Sequence, residues 1–383
     1  MELKPYKAAD LYDWVTQEGN DFLLLDVRNN EEFGRFKVEG PFLKKMLNVP
    51  YMEFIEHEDQ SVAQVPRNEK IRIVCAKEGS AKFVGEILVN HGWEDVAYLE
   101  AGIKSWGNLL APRLITDGNG YELYQFIRPG KASCSYGLLY GGEMVLFDPS
   151  RNVDFYEKFA RDHGSEIVKS FETHLQADYI SGSQRLSEST GAVVNGHELD
   201  FQGATFAYTP VSDGDIFTFS HAGGPEIKAV HMPGHTPGST SYLIDNRYLV
   251  SGDAIFVLSI GRPDLGGKAV EWAKMLFQTM SSKIANLDDD VVILPGHYMD
   301  WSELNADGVF ADRLGSIKKR NAAIYGIQNE SEFIQFIQDN MRTQPEVYAE
   351  IRKVNAGLLQ VDEDEQNIMD LGKNECAAST AAA

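Results

Sequence analysis

Hydrophobic positions recur along this chain in two rhythms. Leu11, Trp14 and Val15 fall at roughly helical spacing, which predicts a short amphipathic helix near the start. Phe22 to Leu25 is a short apolar run leading into Asp26-Val27-Arg28, and Ile71 to Val74 is another ending at Cys75. Short apolar runs bounded by polar turns predict buried strands. Helical spacing returns at Phe83, Ile87 and Leu88, within Ala81 to His91. Leu110 to Gly120 mixes proline, glycine and polar residues and reads as a linker. The next runs, Tyr121 to Ile127, Tyr136 to Tyr140 and Met144 to Phe147, are separated by glycine turns and predict consecutive strands. A helix is expected over 153–163, then a strand over Ile167 to Phe171. Phe333, Ile334, Phe336 and Ile337 predict a helix over Ser331 to Met341, with Ser331 as its cap, and Val347 to Val354 a further one. Beyond Gln360 the chain turns acidic, and its last residues, CAASTAAA, are expected to be mobile.

Composition narrows the picture. A chain of 383 residues with 43% apolar residues can build two or three cores. Its formal charge of -22 repels phosphates, so neither nucleic acid nor an anionic membrane surface is expected as a partner. No apolar run approaches the ~18–20 residues that span a bilayer, and no signal peptide is visible in MELKPYKAADLYDW. Three cysteines, Cys75, Cys134 and Cys376, make no disulfide framework and suggest a reducing compartment. A cytoplasmic protein is therefore expected, and a homo-oligomer stays open.

Cys75 sits between a predicted strand and a predicted helix, where unpaired backbone N–H groups and the helix dipole stabilise a thiolate. In its loop, CAKEGS, Gly79 lets the amides converge and Lys77 adds positive charge. A free cysteine is otherwise a common buried, inert residue. DVRNNEEF (26–33), the strand-cysteine-loop-helix unit and YLEAGIKSW (98–106) resemble a rhodanese domain over roughly 100 residues. The resemblance implies an α/β fold whose loop cysteine, here Cys75, carries a persulfide sulfur, with Asp26 and Arg28 bracing the loop. The chain departs from the pattern at Lys37, where that family has a histidine, and at Glu78 and Ser80, where its active loop has glycine and arginine.

Four further segments carry candidate ligands. ETHLQADYISG (172–182) follows a predicted strand; AVHMPGHTPGS (229–239), YLVSGDAIF (248–256) and ILPGHYMDW (293–301) place His235, Asp253 and His297 at strand-to-loop junctions beside glycines. In this order, T-H-x-x-x-D, G-H-T-P-G-S, G-D and P-G-H resemble the metallo-β-lactamase superfamily, which implies an αββα sandwich over about 200 residues. In that family's two-metal pattern, T-H-x-H-x-D-H, His174 and Asp178 keep their places, while Gln176 and Tyr179 replace histidines. A neutral amide is a poor zinc ligand, and a tyrosine stays protonated near neutral pH. What survives is His174, His235 and Asp253, a set of two histidines and one carboxylate like that of non-haem Fe(II) oxygenases.

The chain resembles the persulfide dioxygenases of this superfamily, also at GRPDL (261–265), NAGL (355–358) and GKNECA (372–377), with Ile260 where some members carry cysteine. That resemblance implies one Fe(II) per chain at His174, His235 and Asp253, with zinc as the alternative. It implies dioxygen and a low-molecular-weight thiol persulfide as small-molecule substrates, and sulfite as a product. Gln176, Asp178, Tyr179 and His297 would then orient the ligands or hold a second metal. Arg262 would bind a substrate carboxylate or pair with Asp264. His57, His91, His163, His197, His221 and His231 read as structural, and Cys376 as incidental. The expected order is a rhodanese-like domain (1–112), a linker (113–120), a metallo-β-lactamase-like domain (121–320), a helical extension (321–375) and a tail (376–383). The rival readings are a glyoxalase-II-like zinc thioester hydrolase and a non-enzymatic sulfur-carrier or sensing module.

Overall fold

The structure, a computed structural model, describes residues 3–264, 266–341 and 343–378. It separates into two compact units. One runs up to Ala111 and takes in Arg128–Lys131 and Leu371–Lys373; the other holds Pro112–Ile127, Ala132–Asp370 and the chain from Asn374 on.

The first unit is built on five strands: β1 (Lys4–Tyr6), β2 (Leu23–Asp26), β3 (Met46–Asn48), β4 (Ile71–Val74) and β5 (Val96–Leu99). They lie in the order β1-β5-β4-β2-β3, all parallel. Every residue of β2 is buried, as continuous apolar runs require when helices cover both faces. Helix Glu78–Asn90 packs Ala81, Val84 and Leu88 against Ile71 and Ile73.

The second unit holds two sheets. The first contains β6 (Ala111–Thr116), β7 (Glu122–Arg128), β8 (Ser133–Tyr140), β9 (Glu143–Phe147), β10 (Glu166–Phe171), β11 (Val193–His197) and β12 (Thr209–Val211), in the order β12-β11-β10-β9-β8-β7-β6. The second contains β13 (Ile216–Phe217), β14 (Ile227–His231), β15 (Thr240–Ile244), β16 (Tyr248–Gly252), β17 (Val292–Pro295) and β18 (Asp312–Arg313), in sequential order. Their faces meet through Phe147, Phe171 and Tyr242, whose rings lie 4.8–5.5 Å apart. Helix Val153–Asp162 covers the first sheet, setting Phe155 and Phe159 against Phe126. Helix Ala269–Gln278 covers the second, where Leu276 joins Leu249, Ile255 and Ile293. The result is an αββα sandwich with helices Glu330–Asp339, Val347–Asn355 and Glu363–Met369 added after it. No helix among the described residues is long and apolar enough to cross a membrane.

Three local expectations change. Residues 113–116, marked as linker by their turn-forming neighbours, belong to β6 at the edge of the seven-stranded sheet. An edge strand tolerates Pro112 because one row of its backbone groups faces no partner strand. The cap of helix Glu330–Asp339 is Asn329, whose Oδ1 accepts from the amides of Ser331 and Glu332, so Ser331 lies inside the first turn. Of the tail, Cys376, Ala377 and Ala378 are buried rather than loose, and residues 379–383 lie outside the described residues.

Candidate metal centre

Strands β14, β16 and β17 run in one direction, since β16 pairs with β17 in parallel and β14 and β16 both flank β15 antiparallel. Their C-terminal ends release the loops of His235, Asp253 and His297, and β10 releases that of His174. Four side chains distant in sequence thus converge at one end of the sandwich.

His174, His235 and Asp253 each offer a buried ligand atom, and the three atoms lie within 4.8 Å of one another. Asp253 Oδ2 is 3.4 Å from His235 Nε2 and 3.9 Å from His174 Nε2. The outward nitrogens decide the tautomers. His235 Nδ1 lies 2.8 Å from the Arg262 carbonyl, which can only accept, so Nδ1 donates and Nε2 presents its lone pair inward. Thr173 Oγ1 donates to Asp148 Oδ2 at 2.8 Å and accepts from His174 Nδ1 at 2.9 Å, again leaving Nε2 as the inward lone pair. His174 Nε2 and Asp253 Oδ2 are buried without a hydrogen-bond partner. Such orphaned atoms are costly unless a cation takes their lone pairs. These residues therefore fit a divalent transition-metal ion.

The electrostatics agree. Burial, reinforced by the other imidazoles, lowers His174 to about 4, although Asp253 opposes this, so the ring stays neutral at ordinary pH. Burial alone would raise the Asp253 carboxyl, but His297, His235 and His174 together hold it well below the usual range.

The sequence-predicted supporting residues fall into place unevenly. Asp178, expected to orient the ligands or hold a second metal, faces His297, with Oδ2 2.9 Å from Nε2, while His297 Nδ1 lies 2.8 Å from Asp253 Oδ1. Burial disfavours charge on His297, yet its two carboxylates raise it to about 10. Gln176 Nε2 lies 3.5 Å from His174 Nδ1, on the outer side of that ring. Tyr179 donates to the Asp148 carbonyl at 3.3 Å, beside the His297 ring. Of the two roles open to Arg262, the ion pair is present: its guanidinium grips Asp264 with two hydrogen bonds of 2.6–2.7 Å, both residues being buried. Leu265, the last residue of GRPDL, lies outside the described residues. His197 and His231 stack on each other with ring centroids 4.2 Å apart.

Several residues went unnoticed in the sequence. Asp148, buried and with a left-handed φ of 50°, takes the Thr173 amide and hydroxyl, and burial pushes its carboxyl up to about 7. Asp200 ties the His174 and His235 loops together, accepting from Leu175 N, Thr236 Oγ1 and Gly238 N. Asn355 reaches back to the carbonyls of Gln176 and Tyr179 and the amide of Ser181. The NAGL segment was the one available signal for Asn355; Asp148 and Asp200 carried none. Cys376, taken as incidental, has its thiol within 4.8 Å of the ligand atoms of Asp178 and His297.

In the first unit, Cys75 lies at the C-terminal end of β4, and Glu78–Asn90 follows. Gly102, at φ 70°, lets the YLEAGIKSW segment pass against the cysteine loop: a Cβ there would lie 2.5 Å from the Ala76 carbonyl. Arg28 pairs with Asp26 at 2.6 Å and reaches the Phe36 carbonyl, bracing the neighbouring strand end. The thiol departs from expectation. Burial pushes it up, and the amides of Lys77 and Ala76 with the Ser80 hydroxyl offset only part of this.

The fold and the inward-facing His, His and Asp set define a metal-binding αββα protein joined to an α/β unit with a loop cysteine. A model of the Metallo-beta-lactamase superfamily matches residues 129–297, and one of the Rhodanese-like domain matches residues 7–109. The chain is 31% identical over 189 residues to the hydroxyacylglutathione hydrolase of Brucella ovis, covering 48% of this chain and 68% of the relative. It is 28% identical over 187 residues to the mitochondrial persulfide dioxygenase ETHE1 of Homo sapiens, covering 46% and 67%. Among solved structures, a metallo-beta-lactamase from Staphylococcus aureus subsp. aureus COL superposes with a TM-score of 0.57 at 30% identity, over 64% of this chain and 75% of that one. ETHE1 from Myxococcus xanthus shares the fold, with a TM-score of 0.51 at 24% identity, over 65% of this chain and all of that one. The chain belongs to the metallo-beta-lactamase superfamily and carries a rhodanese-like domain ahead of it.

Proposed function

We propose that the chain oxidises a low-molecular-weight thiol persulfide with dioxygen, at one iron per chain held by His174, His235 and Asp253. The balanced reaction is R–SSH + O2 + H2O giving R–SH, sulfite and two protons. The observation that carries this reading is the donor set: two imidazoles and one carboxylate converge, while Gln176 and Tyr179 stand where two further histidines would complete a two-metal site. A ferrous ion held by these residues would supply the redox chemistry that oxidation of the persulfide sulfur requires. The protein's own part is to orient the ring of His174 through Thr173, orient His235 through the Arg262 carbonyl, and hold Asp253 ionised beside His297. The persulfide dioxygenase relatives and the rhodanese-like domain support the same substrate class, and Cys75 is the residue proposed to carry sulfane sulfur. The hydroxyacylglutathione hydrolase relatives favour a second reading, zinc-dependent thioester hydrolysis.

Oxygen uptake separates them. Protein loaded with iron or zinc in turn is given glutathione persulfide or a hydroxyacylglutathione thioester. The expected result is persulfide-dependent oxygen uptake and sulfite release with iron alone, abolished by His174→Ala. Thioester turnover on zinc without any persulfide-dependent uptake on iron overturns the proposal.

A further inference from the structure

A cavity of about 350 Å³ lies within the second unit, lined by the loop from Glu172 to Gly182, helix Ser183–Thr190 and the chain around helices Val347–Asn355 and Glu363–Met369. None of His174, His235, Asp253 and His297 lines it, so it is separate from the metal centre. Its volume falls in the range of small-molecule sites, which begins near ~300 Å³.

Two ionisable side chains of opposite kind line this cavity. Glu172 is only 2% exposed. Ser181 and Ser183 donate their hydroxyls to its Oε1, and among the described residues nothing donates to Oε2. Burial, with the Asp148 charge close by, raises this carboxyl, as happens to a buried acid that lacks a countercharge. Arg185 stands on the first turn of Ser183–Thr190. Its Nη2 donates to Gln366 Oε1 at 2.5 Å, and its other guanidinium N–H groups have no acceptor among the described residues. Leu175, Ile180, Phe201 and Leu359 add an apolar part to the wall.

This lining selects among ligands. A metal cation meets the charge of Arg185, and a phosphate meets Glu172. A ligand with a single charge leaves one of the two groups without a partner, which is costly out of water. A small zwitterion with an apolar body satisfies both groups and covers the apolar wall.

We propose that this cavity binds a free α-amino acid with an apolar side chain. Its ammonium group donates to Glu172 Oε2, its carboxylate takes the free N–H groups of Arg185, and its side chain lies against Leu175, Ile180 and Phe201. The site does not depend on which reaction the metal centre performs.

The test is calorimetric titration of the metal-loaded full chain with L-leucine, L-methionine, L-phenylalanine and L-valine. Isocaproate and isopentylamine, which each keep one half of leucine's polar end, serve as comparisons. The expected result is one amino acid bound per chain with a Kd below about 1 mM, at least about tenfold tighter than either half-molecule. Arg185→Gln and Glu172→Gln should each weaken it about tenfold or more. Arg185 is only half-buried, so its variant keeps the test open even where the Glu172 variant fails to fold. Binding of none of the four amino acids overturns the proposal, as does a half-molecule that binds as tightly as leucine. Unchanged affinity in Arg185→Gln also overturns it, because an amino acid chelating the metal would give that result.

Discussion

Thr173 determines which way His174 presents its ring. Its hydroxyl is shared between Asp148 and His174 Nδ1, so one proton arrangement satisfies all three groups and leaves Nε2 bare. Thr173→Val keeps the shape and removes that relay. Metal affinity, read by competition with a chelator, should fall about ten- to hundredfold, as losses of ligand-orienting partners do. A second residue-scale consequence lies away from the ligands. Burial raises Glu303 to about 7 from the ordinary 4.5, although the amides of Asp300 and Met299 pull the other way. The folded chain therefore binds more protons than the unfolded one between those values. Its stability contribution is full below pH 4.5 and is lost as pH rises through about 7. Chemical denaturation of Glu303→Gln against pH should lack this part of the slope, at most about 1.4 kcal/mol per pH unit for one proton.

At the scale of elements, the loop from Glu172 to Gly182 owes its shape to helices that follow much later. Asn355, at the end of helix Val347–Asn355, holds two of its carbonyls and one amide. Asp370, just past helix Glu363–Met369, holds the Ile180 amide and pairs with Arg151 at 2.8 Å. The C-terminal helices thus form part of the centre's framework. Asn355→Ala leaves two buried carbonyls and one part-buried amide without these partners and should cost about 2–4 kcal/mol in urea denaturation. Metal retention should fall with it, because His174 and Asp178 lie on the same loop. Strand ends and helix stretches were legible in sequence because hydrophobic periodicity is local. Strand β6 was not: Pro112 and the following glycines imitate a linker, and only the pairing at the sheet edge makes the segment a strand. Nor was the cap at Asn329, since Asn329 and Ser331 are both acceptable caps until the backbone selects one.

For the whole molecule, two kinds of sulfur chemistry are proposed in one chain, each on its own α/β architecture. Cys75→Ser should abolish sulfane transfer to an acceptor thiol and leave iron-dependent oxygen uptake with glutathione persulfide in place; parallel loss of both would mean that the two reactions are obligatorily linked. The sequence by itself determined the two architectures and most of the candidate ligands, because runs of apolar residues and the motifs around His174, His235, Asp253 and His297 are short-range signals. The partners of those ligands were decided only by tertiary structure. Asp148, Asp200, Asn355 and Cys376 reach the centre from segments up to about two hundred residues away; no local pattern marks Asp148 or Asp200, and the motifs that hold Asn355 and Cys376 do not say what those side chains will touch. Arg262 illustrates the same divide. Its sequence allowed a substrate anchor or an ion pair, and burial beside Asp264 selected the pair, because a guanidinium removed from water needs its countercharge close at hand.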